Sequence, residues 1–372
     1  MFSEQDKEFM QQAIALAAKG RFTTSPNPNV GCVIVKDGDI VGQGYHQKAG
    51  EGHAEVHALK MAGDKARGAT AYVTLEPCSH YGRTPPCAKG LIDAGVSRVV
   101  AAMVDPNPEV AGRGLRMLEE AGIETAAGLF EQEARALNPG FLTRMETGLP
   151  YISCKLAASL DGKTALKNGE SKWITSSAAR QDVQFLRAEH CAVLSGAETV
   201  LFDDAKLNVR LSAEQLELAE GLSVRQPIRV IIDSQNRLSP DLALFSITSP
   251  IIILRTKADT THQWPEYVTE LVVDSMNGKV DIKKALRQLT AHGINSVFVE
   301  AGATLAGKFH ELNLIDNYIL YLAPKIMGQD ARGLFNVPEL TQMADVQSLQ
   351  WHDIKQVGDD IRLTVRKVAQ KG

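Results

Sequence analysis

The sequence predicts an α/β protein built as two domains, and three observations predict it. Short apolar runs of strand length alternate with stretches of helical period along most of the chain. Chain-breaking residues cluster from Asn138-Pro139-Gly140 through Gly148-Leu149-Pro150. The 372 residues exceed one ordinary domain of about 150 residues and suit two. The expected domains are residues 1–147 and 148–372.

The elements follow in order. Ser3 and Asp6 have the arrangement of a capping box, and Phe9, Met10, Ala13, Ile14 and Ala17 follow at helical spacing. Gly31 to Val35 reads as a buried strand, Asp37-Gly38 as a hairpin turn, and Ile40 to Tyr45 as the returning strand. A helix is expected over His53 to Met61 and a strand over Ala69 to Leu75. Next come a helix over Ala88 to Ala94 ended by Gly95, a strand over Ser97 to Val104, and a helix over Arg113 to Ala121 ended by Gly122. This alternation predicts a three-layer α/β domain. Past the breakers, strands are expected at Tyr151 to Ala158, Ala192 to Ser195, Arg229 to Asp233, Pro250 to Leu254, Ser296 to Glu300 and Asn317 to Ala323. The tail differs: Val346 to Trp351 and Ile361 to Val368 flank Gly358-Asp359-Asp360, an antiparallel hairpin that makes the second sheet mixed. Asp204 to Gln226 has no clear periodicity and is a candidate active-site loop.

Composition narrows the function classes. Hydrophobic residues make up 44% and charged residues 23%, which excludes a wholly disordered chain. The net charge of −4 leaves no basic excess for general nucleic-acid binding. No apolar run approaches the roughly 18 residues of a membrane helix, and the polar start Met1-Phe2-Ser3-Glu4 does not read as a signal peptide. The cysteines Cys32, Cys78, Cys87, Cys154 and Cys191 are few, odd in number and irregularly spaced. A reducing, cytoplasmic setting is expected, with metal or catalysis favoured over disulfides.

Three features of the first half converge on a metal: His53-Ala54-Glu55, Pro77-Cys78, and Pro85-Pro86-Cys87 after the loop Ser79 to Thr84. One imidazole and two thiolates make a plausible zinc set with an open fourth position, and Glu55 is then the carboxylate left free to move protons. Residues two apart on a helix do not share a face. His53 and Glu55 therefore meet one metal only at a helix mouth, and Gly50 and Gly52 suit that. Other readings stay open. Each cysteine alone fits a small buried hydrophobe. His53 and His57 have a His-x-x-x-His spacing, although the metalloprotease motif needs Glu at the position of Ala54. A closed structural zinc would need a fourth ligand, such as His80.

The pattern resembles the zinc-dependent cytidine and nucleobase deaminases, whose signature is His-x-Glu followed by Pro-Cys-x-x-Cys. Here eight residues separate the two cysteines. The run Pro77-Cys78-Ser79-His80-Tyr81-Gly82-Arg83-Thr84-Pro85-Pro86-Cys87 is instead similar to the riboflavin-pathway deaminases, as is Pro26-Asn27-Pro28-Asn29-Val30-Gly31. The resemblance implies zinc on His53, Cys78 and Cys87, catalysis by Glu55, and substrate contacts at Asn27, His46 and His80.

The second half has no Gly-x-Gly-x-x-Gly fingerprint and no Walker loop; Gly112-Arg113-Gly114 lies in the first half and lacks the third glycine. The strand Ser296 to Glu300 runs into Gly302 and a helix start, where amides can hold a pyrophosphate. Around it stand Lys155 to Lys163, Gly169 to Ile174, Thr199-Val200, Asp203-Asp204, Leu207 to Arg210 and Asp233-Ser234. This order resembles the reductase domain of bifunctional riboflavin biosynthesis proteins, and the resemblance covers essentially the whole chain. It implies a cytidine-deaminase-like domain followed by a dihydrofolate-reductase-like domain. It implies NADPH contacts at Ala157, Trp173, Thr199, Asp203, Ser234 and the turn Gly302, Ala303, Thr304, Leu305, Ala306, Gly307 and Lys308. Substrate contacts would fall on Ser171, Arg187, Leu207, Arg210 and Glu300. The two arginines have the planar forks that clamp phosphate. The implied partners are pyrimidine ribosyl phosphates, with neither nucleic acid nor membrane, in a homodimer or homotetramer. Two other classes remain: a single-activity deaminase with an inactive appendage, and a non-catalytic zinc module.

Overall fold

The computed structural model describes residues 2–80, 85–108 and 110–368. The chain divides into two compact units, Met1–Leu149 with Glu217–Ser223, and Pro150–Leu216 with Val224–Gly372. Among the described residues no helix is long and apolar enough to cross a membrane.

The first unit opens with α1 (Glu4–Ala18), and the Ser3–Asp6 capping box is formed in both directions. Strands β1 (Gly31–Lys36) and β2 (Asp39–Tyr45) form a hairpin whose turn residues Asp37 and Gly38 both have positive φ. The rest is α2 (Ala54–Ala62), β3 (Thr70–Val73), α3 (Cys87–Ala94), β4 (Arg98–Ala101), α4 (Arg113–Glu120), β5 (Glu124–Ala127), α5 (Glu131–Leu137) and α6 (Pro139–Thr147). The sheet order is β2-β1-β3-β4-β5, antiparallel around β1 and parallel from β3 to β5.

Side-chain alternation builds the three layers. Cys32, Ile34, Ala71, Val73 and Val99 pack against Ala54, Ala58, Leu91 and Leu118 of α2, α3 and α4. Val33, Val35, Tyr72 and Val100 pack against Phe9, Met10, Ala13, Ala134 and Leu142 of α1, α5 and α6. Fully burying a side chain such as Leu91 or Met10 stabilises the fold by about 1.5–3 kcal/mol. In this unit three elements carry no periodic signal in the sequence. β5 is Glu-Thr-Ala-Ala, with no apolar run to mark it. α5 follows Phe130, whose φ is +58°. The breakers Asn138-Pro139 open α6, because proline at the first helical position loses no hydrogen bond the helix needs.

The second unit holds β6 (Tyr151–Ser159), β7 (Lys163–Ala165), α7 (Ser177–Glu189), β8 (Ala192–Gly196), α8 (Ala197–Asp203), β9 (Ile228–Ile232), β10 (Ile251–Arg255), β11 (Val268–Val272), β12 (Ser275–Met276), β13 (Lys279–Val280) and α9 (Ile282–Ala291). Then come β14 (Ser296–Glu300), α10 (Ala303–Glu311), β15 (Asn317–Ala323), β16 (Arg332–Gly333), β17 (Leu349–Val357) and β18 (Asp360–Lys367). A nine-stranded sheet runs β11-β10-β9-β8-β14-β6-β15-β18-β17. It is parallel from β11 to β15 and antiparallel over the last two pairs. The mixed sheet is as expected, but the terminal hairpin is not Val346 to Trp351 with Ile361 to Val368. Its first strand starts later and runs on to Val357. Gln350 to Gln356 are all exposed on this edge strand, so no apolar run marks them. Residues 204–227 contain no helix or strand, as the missing periodicity predicted.

Candidate functional sites

The first site sits at two helix mouths. His53 is the N-cap of α2 with an extended backbone (φ −73°, ψ 171°), and Glu55 lies in the first turn. The break in helical geometry lets both face one point, as their spacing requires. Cys87 is the first residue of α3, and its backbone N–H donates to Cys78 Sγ at 3.3 Å. His53 Nδ1 lies 3.3 Å from Cys87 Sγ and 3.6 Å from Cys78 Sγ. Their ligand atoms all lie within 4.8 Å of one another, and no fourth His, Cys, Asp or Glu joins them among the described residues. His80 is exposed and stands outside the set, which removes it as a closing ligand. Tyr81 to Thr84 lie outside the described residues.

The electrostatics suit a cation. The hydrogen bond from Cys87, its backbone amide and nearby His53 together hold the Cys78 thiol well below its ordinary value. The hydrogen bond to Cys78 raises His53 above its ordinary value. Glu55 is buried, burial pushes its carboxyl up, and its Oε2 has no hydrogen-bond partner among the described residues. An imidazole, two sulfurs and a buried carboxylate with one oxygen unpartnered fit zinc with an open position.

Asn27 and His46 come to the same place. Asn27 Nδ2 lies 3.1 Å from His46 Nε2, and His46 Nδ1 lies 3.1 Å from the Gly52 carbonyl. The neutral Nδ1–H tautomer satisfies both contacts, and burial lowers the pKa of His46 in the same direction. Its ring meets His53 edge-on at 5.4 Å.

Sequence reasoning missed Glu76. It is buried, and its carboxylate accepts four backbone N–H bonds, from Asp105, Gly112, Gly114 and Leu115. The one hint in the sequence is a charged residue directly before Pro77-Cys78, three positions past the end of β3. Gly112-Arg113-Gly114, weighed above as a nucleotide motif, is the other half of this arrangement.

The second site gathers at the C-terminal ends of the parallel strands, the usual ligand edge of such sheets. Arg187 of α7 pairs with Glu300 at the end of β14, with Nε to Oε1 at 2.5 Å and Nη2 to Oε2 at 3.0 Å. Arg187 Nη1 also donates to the Asn208 carbonyl at 2.9 Å. Burial pushes the Glu300 carboxyl up, but the guanidinium outweighs it and holds the carboxyl low. With Arg187 so engaged, the two arginines do not form one open clamp. Arg210 is exposed and is the fork without a side-chain hydrogen bond among the described residues. Lys155, given no role from sequence, stands opposite Glu300 in the β14–β6 register. Burial lowers the pKa of Lys155, with Glu300 opposing.

The remaining expected contacts divide. Gly302 is the N-cap of α10 with no side-chain cap, and space around its Cα is open, so the first amides of α10 are available to an anion. Ala303, Thr304 and Leu305 share that turn, Thr304 Oγ1 accepting from Asn336 Nδ2 at 3.0 Å. Ala306 and Gly307 are turned inward, and a Cβ on Gly307 would stand 2.1 Å from the Asn336 carbonyl. Lys308 pairs with Glu311. Ser234 follows β9, and its Oγ accepts from Val280 N. Asp203 ends α8 and pairs with Lys172 at 3.0 Å, and Thr199 is half-buried in the same helix. Trp173 is exposed, with the Arg180 guanidinium 4.4 Å over its ring. Ala157 and Ser171 are half-buried. Leu207 is buried in the core with φ +52°, so its side chain faces away from solvent.

The first unit thus has the site of a zinc deaminase, and the second carries its polar groups at the strand ends of a mixed sheet. The model of the cytidine and deoxycytidylate deaminase zinc-binding region matches residues 3–103, and that of the RibD C-terminal domain matches residues 150–363. The chain is 55% identical over 362 residues to the riboflavin biosynthesis protein RibD of Escherichia coli, covering 96% of this chain and 98% of that one. It is 50% identical to RibD of Haemophilus influenzae, covering 98% of each. Among solved structures it resembles Acinetobacter baumannii RibD (45% identity, TM-score 0.88, 98% and 99% covered). It also resembles a Thermotoga maritima diaminohydroxyphosphoribosylaminopyrimidine deaminase/5-amino-6-(5-phosphoribosylamino)uracil reductase (33%, TM-score 0.85, 98% and 99%). The chain belongs to the RibD family of riboflavin biosynthesis proteins, with a deaminase half and a reductase half.

Proposed function

We propose that residues 1–147 deaminate 2,5-diamino-6-ribosylamino-4(3H)-pyrimidinone 5′-phosphate and that residues 148–372 reduce the ribosyl group of the product to ribityl. The observation that carries the first step is the meeting of His53, Cys78 and Cys87 beside the sealed, unpartnered Glu55 oxygen. These three residues would hold zinc, which when bound supplies a water acidified toward neutrality. Glu55 takes a proton, returns it to the ring nitrogen beside the amino-bearing carbon, and assists ammonia in leaving. Asn27 and His46, locked to each other, present a fixed polar wall to the pyrimidine.

The open amides of α10 at Gly302 fit the pyrophosphate of NADPH, which when bound supplies a hydride for the ribose C1. Ala157, Ser234, Thr199, Asp203 and Trp173 would complete its cradle. Glu300 and Lys155 face the sugar end, Arg187 holds Glu300 in place, and Arg210 meets the substrate phosphate together with Ser171. At Leu207 only the backbone serves. Small-molecule substrates accord with both halves. Five free thiols suit a reducing cytoplasm. The exposed edge strand β17, with Trp351 and Ile354 outward, supports assembly into a homodimer or homotetramer.

The test is product mass from the diaminopyrimidine ribosyl phosphate with and without NADPH. An amino-to-oxo change without cofactor and a further gain of two hydrogens with it are expected. Deamination alone would overturn the second half of the proposal, and no change with zinc present would overturn the first.

A further inference from the structure

We infer that Glu76 is a positioning residue for the metal site, acting through the backbone that carries Cys78. This rests on the reading of His53, Cys78 and Cys87 as metal ligands. Cys78 lies on an irregular segment after β3, where no helix or strand ladder fixes it. Among the described residues its own backbone is tied down by one hydrogen bond, from Ala88 N to the Cys78 carbonyl at 3.2 Å. Two residues earlier the chain is anchored more heavily. Glu76 N donates to the Met103 carbonyl at 3.0 Å. Its Oε1 accepts from Gly114 N at 2.8 Å and Leu115 N at 3.3 Å, and its Oε2 from Gly112 N at 2.8 Å and Asp105 N at 3.1 Å. The carboxylate thereby joins the mouth of α4 to the segment that follows β4, with a negative group at a helix N-terminus.

The fit is tight on the other side. A Cβ on Gly114 would stand 1.9 Å from the Pro77 carbonyl oxygen, so the backbone before Cys78 rests directly on α4. Gly112 has φ +77°, which turns its amide toward Glu76 at no steric cost. Glu76, Gly112 and Gly114 thus form one clamp with Pro77-Cys78 held in it. Among the described residues no hydrogen bond joins any of the three to the ligand atoms, so the clamp acts on where Cys78 Sγ can be rather than on the chemistry.

The test uses the full chain, with zinc affinity measured by chelator competition and cobalt(II) absorption measured after metal exchange. Glu76→Gln keeps the shape but turns an amide NH₂ toward two backbone N–H donors. Gly114→Ala keeps the carboxylate and displaces the Pro77 carbonyl. Both are expected to weaken zinc binding roughly 10- to 100-fold, as loss of outer support does at other metal sites. Both should also change the cobalt–thiolate absorption, while the NADPH-dependent reduction rate stays at the parent value. If both variants bind zinc as tightly as the parent with the parent cobalt spectrum, the inference is overturned. Should Glu76→Gln fail to fold, Gly114→Ala decides. His53→Ala separates the underlying reading: if it retains zinc at parent affinity, the metal-site assignment itself fails.

Discussion

The two sites are built on opposite plans. In the first, the three candidate ligand side chains come from two helix mouths and the irregular segment after β3, and their donor atoms crowd within 4.8 Å. In the second, the polar groups come from separate strand ends and from irregular backbone between residues 204 and 227. A metal site needs few residues of fixed chemistry at one point, so a substitution there acts on a step. A site for an extended cofactor and substrate spreads its binding over many modest contacts, so a substitution there acts on affinity or on folding. The contrast teaches which half tolerates change.

The sharpest way to break this comparison is Glu55→Gln. Deamination is expected to fall by at least 10²- to 10⁴-fold, with metal content and NADPH-dependent reduction unchanged. Loss of zinc from that variant, by elemental analysis, would make Glu55 a ligand and erase the division of labour. The matching change in the second unit is Arg187→Met, which leaves the Glu300 carboxylate buried without its partner. Such a change costs about 3–5 kcal/mol. Denaturant unfolding should register that loss in the second unit, together with loss of reduction and retention of deamination. A variant as stable as the parent would show that the pair is not a structural strut.

The comparison also extends to pH. Burial, with Arg225 adding to it, lowers the pKa of His190 to about 4, against a backbone bond to Leu186. The folded form therefore prefers the neutral ring. Between the ordinary value near 6.5 and about 4 the unfolded chain binds more protons, so stability is full above the upper value and falls as pH drops toward the lower one. The loss amounts to roughly 3 kcal/mol. Urea titrations of the parent and His190→Gln over pH 4–7 should show the parent losing this increment and the variant not.

The smallest effects distinguish two glycines of one turn. Gly307→Ala meets the Asn336 carbonyl and should cost about 1–3 kcal/mol by thermal unfolding. Gly302→Ala meets nothing and should leave stability within about 0.5 kcal/mol. Equal costs would contradict the inward and outward faces assigned to this turn.

The same contrast explains how legible each part was in the sequence. His53, Glu55, Cys78 and Cys87 carry rare chemistry at local spacings, and the requirement for a helix mouth followed from periodicity alone. Glu76 escaped because its partners are backbone amides some 30 to 40 positions away, and amides carry no residue-type signal. The second site was approached through resemblance, since Ala157, Ser234 or Thr199 is chemically ordinary in isolation. The pairing of Arg187 with Glu300 spans 113 positions and depends on which strand lies beside which. The central strands of both sheets were visible as apolar runs, whereas β5 and β17 were not, because each lies at a sheet edge with little to bury.

One consequence concerns how the halves can be separated. Asn138, at the start of α6, exchanges two hydrogen bonds with Asn29, through Asn29 N to Asn138 Oδ1 at 2.6 Å and Asn138 Nδ2 to the Asn29 carbonyl at 2.9 Å. Asn29 Nδ2 adds a third to the Leu137 carbonyl. The loop bearing Asn27 is thus fastened by residues more than a hundred positions downstream. Genetic truncation at the cluster of breakers would remove that fastening and leave the Asn27 loop loose, although His53, Cys78 and Cys87 would all still be encoded. A deaminase fragment worth expressing has to run through Thr147, past the point where the breakers first suggest stopping.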